Sequence, residues 1–393
     1  MSISSLSSSF YDVDTDWEKN TRAHVSLIDV PDYARNWEFI PDYKLTEGTS
    51  VAAHLKGKCR KCILPATAKR QLLFFVSEFL RLFSNVFLYD ILCYIPYHHL
   101  AVDNAENNFL EIVISGGEPL LHPDLEKILE YCEKCGVHKE ITTNGSLIDD
   151  KYIDMMKRYN MTNVSVSLDS ANPEKHDQFR QCPGAFAKTV AAIKAMKRNG
   201  ISTRVRATIS KRNIGEMDDI AQMVINLGIK TLAIGPMLPV GSAVNLTDEV
   251  FMNAREMKSF IDEFFKLKEK YIGKLEIITN ECLHGLHYLE DDLVEVNDFY
   301  ELNGCTAGVV SFNVLLNGDI TPCSMFHQRI ANIYEDKDLE ATYTSSEIIH
   351  NLLDRNYKGK CGACDKKYVC GGCRVRAEYF YGDYLQEDKL CWL

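Results

Sequence analysis

Cysteine is the residue type on which chemistry in this chain turns. Seven of its fourteen cysteines lie at or beyond position 305. Cys305 comes first, then Cys323, with four residues between it and Gly318. The run CGACDKKYVCGGC supplies Cys361, Cys364, Cys370 and Cys373, and Cys391 closes the series. In a reducing compartment, thiols at such close CxxC spacing mean metal rather than disulfides. A structural zinc ribbon separates its knuckles by roughly 15–20 residues, whereas only five separate these. Seven thiolates are also too many for one tetrahedral ion. Soft sulfur donors in this number suit one or two iron–sulfur clusters.

A second thiol pair, Cys59 and Cys62, sits in the basic loop HLKGKCRKC. Lys56, Lys58, Arg60 and Lys61 would lower thiol pKa values and favour metal capture, though such lysines also suit a plain solvated loop. Cys132 and Cys135 share a helix face and read as buried structural thiols. Cys93, Cys182 and Cys282 stand alone and read as packing residues, and His98 and His99 carry no ligand pattern. A different signal is the turn SGGEP at 115–119. Paired Gly116 and Gly117 let the backbone approach a ligand closely, although a tight turn alone would also use them.

These groups need a frame. β-Branched runs at 111–115, 139–143, 163–168, 203–209 and 231–235 alternate with helical patterns such as PDLEKILEYCEKCG and GAFAKTVAAIKAMKRNG. Repeated strand–helix units predict a parallel sheet with right-handed crossovers. Five or six of them would curl into a partial (β/α)6 TIM-like barrel, with its site at the C-terminal strand ends, where SGGEP falls. The expected organisation is an N-terminal extension over 1–50, the core over 51–245, a helical connector over 246–299 and a small cysteine-rich domain over 300–393. PMLPVGSAVN at 236–245 follows the last of these strands and is a candidate substrate entrance, or simply a loop.

Composition sets limits. A hydrophobic share of 46% and a charged share of 25% are those of an ordinary globular chain. The net charge of −11 argues against a nucleic-acid partner. The start has neither the charged nor the apolar region of a signal peptide. The most apolar stretch, LLFFVSEFLRLFSNVFLYDILCYI, is interrupted by Glu78, Arg81 and Asp90, and reads as amphipathic helix rather than a membrane span. A cytoplasmic protein without membrane contact is expected.

The CxxC loop, the GGEP turn, TTNGSLI, VSLDSANPEKHDQFR and the C-terminal cysteines together resemble the radical S-adenosylmethionine (radical SAM) family with a C-terminal SPASM domain, over roughly residues 50–393. The ending CGGCRVRAEYFYGDYLQEDKLC is most similar to members that modify tetrapyrroles, and close patterns occur in peptide-maturating members. The resemblance implies a [4Fe–4S] cluster on a CxxxCxxC loop. That cluster chelates S-adenosylmethionine and reduces it to a 5′-deoxyadenosyl radical, which takes a substrate hydrogen. Cys59 and Cys62 match the second and third ligands. Gly116, Gly117 and Glu118 would receive the methionine amine, and Ser167 and Arg180 the ribose or carboxylate. By the same resemblance Cys361, Cys364, Cys370 and Cys391 hold one auxiliary cluster. Cys305, Cys323 and Cys373 hold another that has an open iron. A tetrapyrrole or ribosomal peptide would be the substrate, and a ferredoxin or flavodoxin the electron donor. No catalytic residue beyond these is assigned.

The chain departs from that family at one ligand. Leu55 stands where the first cysteine belongs, and leucine cannot bind iron. Ile63 replaces the usual aromatic beside the adenine. His54, one residue off, is a substitute nitrogen donor of the kind Rieske centres use. The alternative expectation is a catalytically silent homologue that keeps the auxiliary clusters and serves as an iron–sulfur binding or partner protein.

Overall fold

A computed structural model describes residues 91–94, 111–134, 137–246, 249–290, 304–308, 311–315, 317–326, 328–367 and 369–393. Leu55, Cys59 and Cys62, with the basic loop around them, lie outside the described residues, as do His98, His99, Cys135 and the 1–50 extension.

Six parallel strands form the frame. They are β2 (Glu111–Ile114), β3 (His138–Thr143), β4 (Asn163–Ser167), β5 (Thr203–Ile209), β6 (Thr231–Pro236) and β7 (Glu276–Ile278), hydrogen-bonded in that order. The first five coincide with the β-branched runs. The sixth falls in the stretch read as helical connector, since three residues are too few to show a period. Helices α1 (Leu125–Lys134), α2 (Asp150–Arg158), α3 (Pro173–Arg180), α4 (Ala185–Arg198), α5 (Met217–Asn226) and α6 (Ala254–Lys270) fill the crossovers. Asn253 and Glu256 close a capping box on α6. This is the expected partial (β/α)6 barrel.

A strand β1 (Ile91–Tyr94) pairs antiparallel with β2 on one side and with β8 (Ser311–Val314) on the other. The apolar stretch read as amphipathic helix therefore ends in a strand. Pairing on both edges satisfies its backbone and overrides helical periodicity. Through β1 the sheet continues into β8, β9 (Asp319–Thr321) and β10 (Ala331–Asn332). The remaining helices are α7 (Gly285–Glu290), α8 (Leu339–Ser345), α9 (Glu347–Asp354), α10 (Gly359–Ala363) and α11 (Arg374–Tyr381). Among the described residues no helix is long and apolar enough to cross a membrane.

The sheet has two unlike faces, because successive side chains point opposite ways. Ile112, Ile114, Ile141, Val164, Val166, Val205, Ile209 and Leu232 pack under the helices in one buried core. The alternate positions carry Glu111, Glu140, Ser165 and Arg204. Ser165 Oγ donates to Glu140 at 2.8 Å, and Arg204 Nε donates to Ser165 Oγ at 2.6 Å. Arg204 also pairs with Glu140 directly. Burial works to raise the Glu140 pKa, but the Arg204 charge and its hydrogen bond offset it, leaving Glu140 low.

Glu111 has no such partner. Its Oε1 is buried without a hydrogen bond. Burial, then the Glu140 charge, raises it from 4.5 to about 8. Unfolded chains ionise this group near 4.5 while the folded chain keeps its proton to about 8. Its contribution to stability is therefore complete below the lower value and is lost as pH rises through the higher one. Glu111→Gln is expected to melt at a higher temperature than wild type at pH 8, with the two converging toward pH 4.5; thermal melts across that range check it.

Candidate functional site

The strand ends bring the expected residues to one rim. After β2 the chain turns at Gly116, whose φ of 128° suits glycine, and at Gly117, where an added Cβ would meet open space. Glu118 caps the short 3-10 turn Pro119–Leu121 by accepting from Leu120 N at 3.3 Å. The same carboxylate accepts from Thr143 Oγ1 at 2.6 Å and Asn144 N at 2.9 Å. It thus clasps the SGGEP turn to the end of β3. A carboxylate has about four acceptor positions, so capacity remains for a cation.

The end of β4 centres on Asp169, a residue given no role from sequence. Its Oδ1 accepts from Thr208 N at 3.0 Å and its Oδ2 from Arg180 Nε at 2.6 Å. Arg180 is held, with its guanidinium partly exposed at the rim. His176 Nδ1 accepts from Asp169 N at 3.2 Å, which puts the ring proton on Nε2. Burial lowers the His176 pKa, in keeping with that neutral form. Ser167 is half-buried and stands in register with Arg206 of the neighbouring strand.

A cavity of about 310 Å³ opens beyond these groups. One wall is made by the ends of β5, β6 and β7, including Arg206, Thr208 and Gly235. The 236–245 loop forms its lip. The opposite wall contains Cys305, Cys323 and Cys373. Pro236, Met237, Leu238, Val240 and Ala243 of the 236–245 loop line the cavity.

The ten described cysteines are unbridged thiols. Burial, with Cys305 alongside, pushes Cys323 up to about 11; burial, then the Asp388 and Glu281 carboxylates and Cys305, pushes Cys373 up to about 12. Burial, with Cys370 and Cys361 alongside, pushes Cys391 up to about 11. The thiols therefore gather as Cys305–Cys323–Cys373 and Cys361–Cys370–Cys391, while Cys364 lies half-buried in the same CGAC segment as Cys361. Metal binding would hold such buried thiols as thiolates. N–H groups aimed at sulfur fit that state. Met325 N reaches Cys323 Sγ at 3.5 Å, Gly372 N reaches Cys370 Sγ at 3.3 Å and Asp388 N reaches Cys361 Sγ at 3.4 Å. Gly372, at φ 60°, leaves no space for a Cβ between Arg374 and Cys361. Cys305 N donates to Cys370 O at 2.9 Å, joining the two thiol groups through backbone. This donor set fits iron–sulfur clusters.

Two isolated cysteines turn out differently from their reading. Cys182 is exposed, on the turn between α3 and α4, where Gln181 adopts a left-handed conformation and brings the chain out to solvent. Cys282 is buried as expected, yet it contacts Cys370 and Glu281 rather than apolar packing alone. Cys132 is buried in the helix-side core as read.

Arg376 ties the cysteine module to the barrel. Wholly buried, it donates to Glu281, after β7, at 2.6 and 2.7 Å, and to Asp388 at 2.6–3.1 Å. Asp388 also accepts from Cys373 N at 2.8 Å. Glu281, Cys282 and Asp388 lie within 4.8 Å of one another, a set that would accept a metal. The Arg376 guanidinium already bridges both carboxylates and supplies the positive charge. Arg376→Met leaves two buried carboxylates unpaired, so denaturant unfolding is expected to show a loss of about 3–5 kcal/mol.

A family model described as the Radical SAM superfamily matches residues 100–224. The AdoMet-dependent heme synthase of Methanosarcina barkeri is 29% identical over 315 residues, covering 76% of this chain and 88% of that protein. The antilisterial bacteriocin subtilosin biosynthesis protein AlbA of Bacillus subtilis is 27% identical, covering 69% of this chain and 58% of that one. Streptococcus suis SuiB bound to S-adenosylmethionine superposes with a TM-score of 0.58 at 21% identity, over 72% of this chain and 66% of that one. At that identity the likeness is one of fold.

Proposed function

We propose that this chain, which belongs to the radical SAM superfamily, reductively cleaves S-adenosylmethionine and passes the resulting radical to a substrate in the cavity between barrel and cysteine module. One observation carries the reading. The cavity is walled by the ends of β5, β6 and β7, next in the same sheet to the β2–β4 ends that bear the cofactor-type turns, and by Cys305, Cys323 and Cys373. A substrate held there would lie against the thiols of Cys305, Cys323 and Cys373, with the cofactor-type turns on the neighbouring strand ends.

The residues divide the work by chemistry. Glu118, anchored by Thr143 and Asn144, accepts from the methionine ammonium, and Gly116 and Gly117 let it approach. Arg180, fixed by Asp169, takes the carboxylate, and Ser167 the ribose. Cys361, Cys364, Cys370 and Cys391 hold one cluster, and Cys305, Cys323 and Cys373 the other. When bound, the [4Fe–4S] cluster of the Cys59/Cys62 loop supplies the electron that splits the sulfonium. The 236–245 lip excludes water from the substrate. A tetrapyrrole is the favoured substrate, because the heme synthase matches more of this chain than the peptide-modifying relative does. A ferredoxin or flavodoxin is the electron donor and the cytoplasm the location.

Leu55 sustains one other reading, a silent homologue that keeps its auxiliary clusters. A single assay separates the two. Wild type and Cys59→Ala/Cys62→Ala are reconstituted anaerobically and given dithionite and S-adenosylmethionine. Wild type is expected to hold about four more irons, one cubane, and to form 5′-deoxyadenosine that the variant does not. Equal iron and no 5′-deoxyadenosine would establish the silent homologue.

A further inference from the structure

We infer that Arg206 is the specificity residue of the cavity, and that it selects a substrate carrying a carboxylate on an otherwise apolar group, namely the carboxylate arm of a pyrrole. The inference rests on the reading of the cavity as the substrate site. Arg206 lies on β5 with its side chain in the cavity wall. The two other arginines of this face and rim are matched. Arg204 is bound to Glu140, and Arg180 to Asp169. Arg206 alone among these arginines makes no side-chain hydrogen bond or ion pair with any described residue.

Its surroundings make that costly. Phe179, Ala233, Met237, Leu238 and Val240 line the same space, so the guanidinium loses water, while the carboxylates that attract it, Glu140 and Asp169, are already bonded to Arg204 and Arg180. Burial, then the like charge of Arg204, pulls Arg206 down to about 10, which still leaves it protonated at neutral pH. A half-buried cation beside an apolar wall is an incomplete ion pair. A ligand that brings a carboxylate completes it with two parallel N–H···O bonds, and its apolar body fills the rest. The methionine carboxylate of the cofactor has Arg180 on the rim. Arg206 is thereby left to the substrate.

The test is equilibrium binding to the anaerobically reconstituted protein, followed in the porphyrin absorption band, with coproporphyrin III and its tetramethyl ester as probes. S-Adenosylmethionine binding is measured alongside. Wild type is expected to bind the free acid about tenfold or more tightly than the ester, as loss of a charge-assisted pair predicts. Arg206→Met should bind the acid no better than the ester, and Arg206→Lys should recover part of the preference. Cofactor affinity should stay unchanged throughout. The inference is overturned if Arg206→Met keeps the preference, if wild type binds acid and ester alike, or if it binds neither. Loss of cofactor affinity alone would assign Arg206 to the cofactor and overturn it equally. Carboxylate preference in a wild type that fails to cleave S-adenosylmethionine would sink the catalytic reading and leave this inference standing.

Discussion

The Arg376 ion pairs are the constraint on which the rest of the structure depends. One buried guanidinium holds Glu281, just after the last parallel strand, and Asp388 from the C-terminal segment. Through Asp388 it fixes Cys373 N, and through the Asp388 backbone it reaches Cys361 Sγ. A charge buried this deeply survives only when matched, and its geometry is then strongly specified. The thiol groups are thus set against the barrel mouth at one distance and orientation.

The parallel sheet is the second constraint. Parallel sheets are usually apolar on both faces, because helices or a packed interior cover each. Here only the helix-side face follows that rule. The other carries a ladder of Glu140, Ser165 and Arg204 near the base and Ser167, Arg206 and Thr208 toward the rim. At the base Glu140, Ser165 and Arg204 satisfy one another, and Glu111 beside them keeps an unpartnered oxygen. Toward the rim Glu118 keeps acceptor capacity, the Arg180 side chain is partly exposed, and Arg206 lines the cavity.

Much of this was legible in the sequence, and the remainder fails for physical reasons. The five β-branched runs became strands within a residue or two, because alternation and helix stops are local. The SGGEP turn and the 236–245 loop landed at the strand ends for the same reason. β7 was too short to show a period, and β1 owes its strand form to pairing on both edges. Asp169 lay inside a motif that was noticed, yet its role as the anchor of Arg180 depends on Thr208, 39 residues away. Arg376 and Glu281 lie 95 residues apart, and nothing local marks either as a partner of the other. Cys282 read as packing because its neighbour Cys370 is remote in sequence. Arg206 looked like one more strand residue until its lack of a partner was visible in three dimensions.

The central claim is that the cavity is one site, shared by a substrate and the metal centre of Cys305, Cys323 and Cys373. The most direct measurement is electron paramagnetic resonance of the reduced, reconstituted protein, with and without bound coproporphyrin III. The signal of that centre is identified by its loss in Cys305→Ala/Cys323→Ala/Cys373→Ala. The account predicts that ligand binding shifts the g values or line shape of that signal and leaves the centre of Cys361, Cys364, Cys370 and Cys391 unchanged. A ligand that binds while the Cys305 signal stays the same would place the substrate elsewhere and contradict it.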